Sequence, residues 1–360
     1  MTVTEIETWL REDDAGRLER LWAMADGVRR QHVGDAVHLR GLLEISNHCR
    51  RQCAYCGIRA GRNELVRYRL TESEIMDCVR LAASLELGTV VLQAGEDPGL
   101  TRAGVAGLVR RIKAETPLAV TLSLGERDDD ELTAWRDAGA DRYLLRFETS
   151  NPELYRRIHP ARPGETRDRS AVLQSLRRLG YEVGSGVMVG IPGQTHRDLA
   201  RAIARFGELR LDMIGLGPYL PHPETPLGRT GQAVTDPVAD QVPNSAAMAT
   251  KAMALARLVC PGANIPATTA LATADRDGGY ALGLQRGANV IMPDLTPPEY
   301  CELYAIYPGK TPPNADRVEA ARSVQALVAS LGRTVGRGPG GAMRRGGVSP
   351  RAKECPSCSK

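Results

Sequence analysis

The sequence predicts an α/β protein whose body is a (β/α)8 TIM barrel, preceded by a helical extension and followed by a flexible tail. Three observations lead there. Short apolar runs rich in β-branched residues alternate with segments of helical periodicity along most of the 360 residues. The runs number eight, which suits a closed barrel better than the alternative, an open doubly wound sheet. Several are apolar almost throughout, as strands covered on both faces must be.

Residues 1–36, beginning "MTVTEIETWLREDDAGRLERLW", are charged and helix-forming and read as the extension. The barrel is expected over 37–335. Its strand runs are "VHLRGLLEIS" (37–46), "TVVLQAG" (89–95), "AVTLSLG" (119–125), "RYLLRFE" (142–148), "EVGSGVMVG" (182–190), "DMIGLGPYL" (212–220), "NIPATTA" (264–270) and "NVIMPD" (289–294). The helical segments between them carry start and stop signals. In "TESEIMDCVRLAASLELG", Thr71 and Glu74 form a capping box and Gly88 supplies the stop. From 336 to 360 Gly, Arg, Pro and Ser dominate, apolar periodicity ends, and disorder is expected.

Composition narrows the function classes. Hydrophobic residues make up 42% and charged residues 25%, an ordinary globular balance. The net charge of +4 comes from the tail, which holds six Lys/Arg and one Glu. A short basic end of this kind reads as a solvated terminus, so a nucleic-acid partner is not expected. There is no signal-peptide pattern and no run of eighteen apolar residues, so a cytoplasmic protein without membrane contact is expected.

The chemistry is concentrated after the first run. "SNHCRRQCAYCGIRAG" (46–61) places Cys49, Cys53 and Cys56 at C-x3-C-x2-C. A structural zinc site takes four ligands, usually as two CxxC pairs, and this spacing does not supply them. A 4Fe-4S cluster commonly takes four cysteines; three from one compact loop leave one iron open. An open iron can chelate the amino and carboxylate groups of S-adenosylmethionine (SAM). One electron then breaks a carbon–sulfur bond to give a 5′-deoxyadenosyl radical. With the aromatic Tyr55 before the third cysteine, the spacing is the radical SAM signature. Other polar residues fall at strand ends, the functional face of a barrel: Glu96, Ser123, Glu126, Arg146, Glu148, Thr268 and Thr269.

Long blocks carry a narrower resemblance. They include "RYRLTESEI" (67–75), "VVLQAGEDP" (90–98), "ADRYLLRFET" (140–149), "MVGIPGQT" (188–195), "GPYLPHPETPL" (217–227), "GANVIMPDLTP" (287–297) and "LYAIYPGK" (303–310). In these the chain resembles the HydE family of FeFe-hydrogenase maturases, in the biotin-synthase-like radical SAM group. The resemblance implies that Cys49, Cys53 and Cys56 hold a 4Fe-4S cluster, and that Tyr55, Glu96, Ser123, Glu148 and Arg167 surround SAM. It further implies that Arg146, Thr268, Thr269, Tyr304 and Tyr307 line the substrate cavity. "QAGED" (93–97) resembles the turn that receives the SAM amino group, with Ala94 in place of a glycine, and "GIPGQT" (190–195) resembles a loop near adenine. The implied substrate is a cysteine-ligated iron carbonyl/cyanide complex. The implied partners are other hydrogenase maturases and a one-electron reductant such as ferredoxin or flavodoxin.

Two departures are visible. "TPPNADRVEAARS" (311–323) lacks the cysteines that hold an accessory cluster in many members, and Phe147 stands where a histidine is expected. Cys78, Cys260 and Cys301 read as packing residues, and Cys355 and Cys358 as an incidental pair. The competing functions are a methylornithine-synthase-like radical enzyme acting on an amino acid, and a non-catalytic metal-binding protein.

Overall fold

The computed structural model describes residues 1–162, 168–230, 240–310 and 316–343. Its hub is β1 (Ala36–Ser46), whose residues are buried from Leu39 onward. Around it run β2 (Thr89–Ala94), β3 (Ala119–Ser123), β4 (Arg142–Leu144), β5 (Glu182–Val189), β6 (Met213–Pro218) and β7 (Val290–Ile291), all parallel, in the order β6-β5-β4-β3-β2-β1-β7.

The segment around 264–267 joins the two edges of this sheet. Met213 bridges to Asn264 and Pro266 to Val290. The Ile214 N–H donates to the Asn264 carbonyl and the Ala267 N–H to the Val290 carbonyl, each at 2.9 Å. The eight expected runs therefore form one ring. The seventh makes only isolated bridges and the eighth a two-residue strand. Pro266 and Pro293 fall inside them, and proline brings no N–H to a ladder.

Helices cover the outside. α1 (Val3–Leu10) and α2 (Ala15–Val33) form the extension and pack on α8 (His196–Glu208) and α10 (Ala246–Val259), respectively. The others needed here are α3 (Glu72–Ser84), α4 (Arg102–Glu115), α5 (Asp129–Asp137), α6 (Pro152–Ile158), α7 (Arg169–Arg178), α9 (Pro226–Thr230) and α11 (Thr269–Ala274). The capping box expected at Thr71 and Glu74 is present. α8 turns Leu199, Ala200, Ala202, Ile203 and Phe206 inward from one face, the stripe that holds a helix to a sheet. Among the described residues no helix is long and apolar enough to cross a membrane.

The tail corrects one expectation. The flexible segment expected from 336 onward is, over 336–343, a strap across the N-terminal end of the barrel. β8 (Thr334–Val335) pairs with the start of β1. The Pro339 carbonyl then accepts from Thr89 Oγ1 at 3.0 Å and Arg142 Nη2 at 2.8 Å. The Gly340 carbonyl accepts from Arg40 Nη2 at 3.1 Å and Asn264 Nδ2 at 2.9 Å. Sequence periodicity cannot show this, because the strap is held by its own backbone carbonyls and amides and not by its side chains. Cys355 and Cys358 lie outside the described residues.

Candidate active site

The cysteine loop leaves β1 at Ser46 and is pinned on every side. Asn47 is fully buried; its Nδ2 donates to the Val66 carbonyl at 2.9 Å and the Leu303 carbonyl at 2.8 Å, and its Oδ1 accepts from the Tyr68 N–H at 2.8 Å. The Ala54 N–H reaches the Ile158 carbonyl of α6 at 2.8 Å, and the Gly57 N–H reaches Ile306 at 3.0 Å. Gly95 of "QAGED" lies so close that a Cβ there would stand 2.2 Å from the His48 carbonyl oxygen and 2.7 Å from Cys49 Cβ. Only glycine lets the β2 turn approach the loop this closely.

Cys49, Cys53 and Cys56 are free thiols lining a cavity of about 250 Å³, which among the described residues no histidine and no other cysteine lines. Cys49 Sγ accepts the amides of Arg51 and Glu96, each at 3.4 Å. Burial pushes the Cys53 thiol up to about 12 and raises Cys49 and Cys56 as well, so a metal must displace protons to bind them. Among the described residues no three His, Cys, Asp or Glu side chains converge on a point suited to a single ion. Three sulfurs that line one cavity without forming a single-ion site fit a cluster whose iron atoms stand at separate corners.

The same cavity carries charged side chains. Glu148 follows β4 with φ +65°, a left-handed conformation that costs a non-glycine residue on the order of 1 kcal/mol or more. Its carboxylate meets the Tyr55 hydroxyl at 3.4 Å and Arg146 Nη2 at 3.3 Å. That last contact lacks hydrogen-bond geometry: Glu148 Oε2 and Arg146 Nε and Nη2 are buried without a hydrogen-bond partner. Buried charged atoms left open in this way are what a polar ligand would satisfy. Ser123 ends β3 beside Gln93 of β2 on the same cavity.

Arg169, the first residue of α7, is the side chain sequence reasoning missed. Its Nε donates to Glu126 Oε1 at 2.9 Å, Nη1 donates to the Arg146 carbonyl, Nη2 contacts His159, and Glu148 Oε1 lies 4.0 Å away. Arg167, the residue expected here, lies outside the described residues. Asp168 caps α7 through the Ala171 N–H at 2.8 Å, so Arg169 opens the helix on the cavity side. That cap was the available signal.

Glu96 lines the same cavity, and its carboxylate is engaged by the cysteine loop. Burial raises its carboxyl, but the Glu126 amide and the guanidiniums of Arg51 and Arg50 outweigh burial and hold it below the ordinary range. Arg50, Arg51 and Arg162 take its two oxygens at 2.8, 3.0 and 3.1 Å. The carboxylate is thus tied to the loop, and Glu96 lines the cavity together with Gln93, Ala94 and Gly95. In "GIPGQT", Gln194 binds the Gly190 amide and the Met188 carbonyl, and it is Met188, just before the turn, that reaches the cavity.

Deeper in the barrel lies an inner chamber of about 150 Å³ that shares Gln93, Leu144, Arg146 and Tyr307 with the outer cavity. Thr268 and Thr269 line it at the start of α11. Tyr304 and Tyr307 stand on the outer wall. Lys310 bridges two acids here, reaching Glu44 and lying 3.0 Å from Asp294 Oδ2. Burial, and then Asp294, push the Glu44 carboxyl up to about 8. Cys78, Cys260 and Cys301 are buried and line neither space, and Phe147 packs on Phe206 with ring centroids 5.7 Å apart.

A barrel with a three-cysteine loop at the end of its first strand defines the class, and comparison agrees. The Radical SAM superfamily profile matches residues 43–206. Over 332 residues the chain is 43% identical to the [FeFe] hydrogenase maturase subunit HydE of Thermotoga maritima, covering 92% of this chain and 91% of that protein. It is 29% identical to 3-methylornithine synthase of Methanosarcina barkeri, covering 92% and 88%. The crystal structure of methylornithine synthase superposes with a TM-score of 0.79 at 28% identity, covering 93% of this chain and 94% of that one. The chain belongs to the radical SAM superfamily and, within it, to the HydE family.

Proposed function

We propose that the chain is a radical SAM enzyme of FeFe-hydrogenase assembly, acting on a cysteine-ligated iron carbonyl/cyanide precursor. The observation that carries this is the cavity: among the described residues three thiols and no further cysteine or histidine line it, together with Glu148 and Arg146, whose buried polar atoms are open. When bound, a 4Fe-4S cluster with SAM would supply a 5′-deoxyadenosyl radical by one-electron cleavage.

The chain's residues would hold and orient. Cys49, Cys53 and Cys56 take the cluster. Glu148, steadied by Tyr55, offers an acceptor to the SAM ammonium, Ser123 a hydroxyl, and Arg169 a guanidinium fork for its carboxylate. Arg146 offers unsatisfied donors to a substrate carboxylate at the junction of the two spaces. Thr268, Thr269, Tyr304 and Tyr307 complete that pocket, and the apolar barrel wall keeps water from the reacting atoms.

The test is anaerobic reconstitution followed by dithionite and SAM. Formation of 5′-deoxyadenosine is expected, and none from a fully loaded, reduced protein would remove the enzyme reading. The likeness to methylornithine synthase favours a second reading, an amino acid substrate. Complementation of a strain lacking this maturase decides between them: restored hydrogenase activity supports the first.

A further inference from the structure

One short segment, 303–310, touches both ends of the candidate site. After the 3₁₀ turn Glu302–Tyr304 the chain from 305 to 310 joins no helix or strand. Even so, Tyr304 lines the outer cavity, and Ile306 and Tyr307 line both spaces. At its start the segment is held by the cysteine loop. The Leu303 carbonyl accepts from Asn47 Nδ2 at 2.8 Å and the Ile306 carbonyl from the Gly57 N–H at 3.0 Å. A Cβ on Gly57 would stand 2.0 Å from the Ala305 carbonyl oxygen, so the contact leaves room for glycine alone.

At the other end Pro308 and Gly309, the latter at φ +68°, turn the chain and bring Lys310 back to the barrel. The Lys310 ammonium reaches Glu44, lies 3.0 Å from Asp294 Oδ2, and stands 5.6 Å from the centroid of the Tyr304 ring. The two acids are themselves fixed. Asp294 bridges to Leu42 of β1, Thr296 Oγ1 accepts the Glu44 N–H at 2.9 Å, and the Thr296 N–H donates to Asp294 Oδ1 at 3.0 Å. Glu44 is 1% exposed, so Lys310 supplies a counter-charge that water does not replace.

A segment without a hydrogen-bonded ladder of its own keeps its shape through what grips its ends. Here the cysteine loop grips one end by backbone and amide bonds, and an ion pair buried beside β1 grips the other. Lys310 lines the inner chamber as well. Its charge, however, is taken up by two carboxylates, so it acts through the segment and not on a bound molecule.

We propose that Lys310 is a positioning residue for the substrate: closed on Glu44 and Asp294, it makes 303–310 a stiff bridge between the cysteine loop and the inner chamber and fixes Tyr304 and Tyr307 as substrate wall. The inference rests on the radical SAM reading above and deepens it. At such a wall a misplacement of about 1 Å is enough to cost on the order of a hundredfold in rate. Without Lys310 the attachments at Leu303 and Ile306 remain, so the loosening falls on the substrate side and spares the side that holds SAM.

The experiment compares the full chain as wild type, Glu44→Gln and Lys310→Met/Glu44→Gln. Lys310→Met alone would leave Glu44 buried without its counter-charge, which is why Glu44→Gln accompanies it. Hydrogen exchange on the chain without cofactor should show peptides over 305–310 exchanging about tenfold or more faster in the double variant, with the Gly57 amide still protected. Glu44→Gln alone leaves Lys310 an amide oxygen and Asp294, and should keep the segment protected. In the reconstituted protein the probe is a synthetic iron complex of cysteine, carbon monoxide and cyanide, followed by infrared spectroscopy. The double variant should consume it about tenfold or more slowly, while the SAM concentration that half-shifts the electron paramagnetic resonance spectrum changes by less than about twofold. Unchanged exchange over 305–310, consumption at the wild-type rate from a loosened segment, or an equal loss of SAM affinity would overturn the proposal. Slower consumption with unchanged exchange would show that Lys310 touches the substrate itself, and would overturn it too. Wild-type protein that leaves the complex intact would instead sink the reading on which the proposal rests, an outcome told apart because exchange is measured with neither cofactor nor substrate.

Discussion

At the scale of single residues, Arg169 holds the polar end of the cavity together. It lies between Glu126 and Glu148, both buried, and removing one partner of such a group costs on the order of 3–5 kcal/mol. Arg169→Ala should lower the thermal midpoint and abolish SAM binding in calorimetry of the reconstituted protein. Arg169→Lys keeps the charge and loses the fork, so it should fold near normally and bind SAM about tenfold or more weakly. Equal binding by the lysine variant would show that the fork is not used. The residue was half legible: "TRDRS" (166–170) presents two arginines two positions apart, and only the cap at Asp168 tells which one opens the helix. His38 gives a pH prediction. Burial, and then the charges of Arg40 and Arg142, depress its pKa to about 4, so the folded ring stays neutral while the unfolded one takes a proton near its ordinary value. Its contribution is therefore complete above about pH 6.5 and is lost as pH falls toward 4, by on the order of 1–2 kcal/mol once partial exposure is allowed for. Urea midpoints measured from pH 4 to 7 should fall more steeply in the wild type than in His38→Asn; parallel curves would place the acid sensitivity elsewhere.

At the scale of elements, the strap over 336–343 shows where a sequence stops being informative. Strands and helices announce themselves by side-chain period, and β1 to β6 and the capped α3 were readable for that reason. The strap instead offers backbone carbonyls to Thr89, Arg142, Arg40 and Asn264, a pattern written in its partners and not in itself. Gly88 marks it from the other side: a Cβ there would stand 1.6 Å from the Gly338 carbonyl oxygen, so the residue that reads as a helix stop also admits the strap. Ending the chain after Val335 should strip the buried guanidiniums of Arg40 and Arg142 of their carbonyl partners, at about 1.5–3 kcal/mol for each such bond. Ending it after Met343 should cost nothing measurable. Gly88→Ala should resemble the first truncation in chemical denaturation; a stability equal to wild type would mean that the strap carries no load.

At the scale of the whole molecule, the question is how many metals the chain holds and how completely it ligates them. Of its eight cysteines, Cys49, Cys53 and Cys56 share one cavity. Cys78, Cys260 and Cys301 are buried apart from it, Cys78 receiving Arg317 Nη1 at 3.2 Å. Cys355 and Cys358 stand at the end of the sequence. Legibility divides along the same line: the spacing of the trio was enough to read three thiols gathered in one site, whereas the order of the two cavities, the Lys310 bridge and the strap depend on contacts between distant segments that no local pattern encodes. Reconstituted protein should therefore contain about four irons per chain, unchanged in Cys355→Ser/Cys358→Ser and nearly absent in Cys53→Ser, by iron and sulfide assay. About eight irons, halved by the tail substitutions, would assign a second cluster to the tail. On the proposed ligation, in which three protein thiolates leave one iron corner without a side chain, adding SAM to the reduced protein should shift its electron paramagnetic resonance spectrum, and Glu148→Gln should weaken the shift by raising the SAM concentration that produces it. A spectrum indifferent to SAM at saturating concentration would mean that the fourth corner is already filled by the protein, and the cavity would then have no vacancy around which to organise its chemistry.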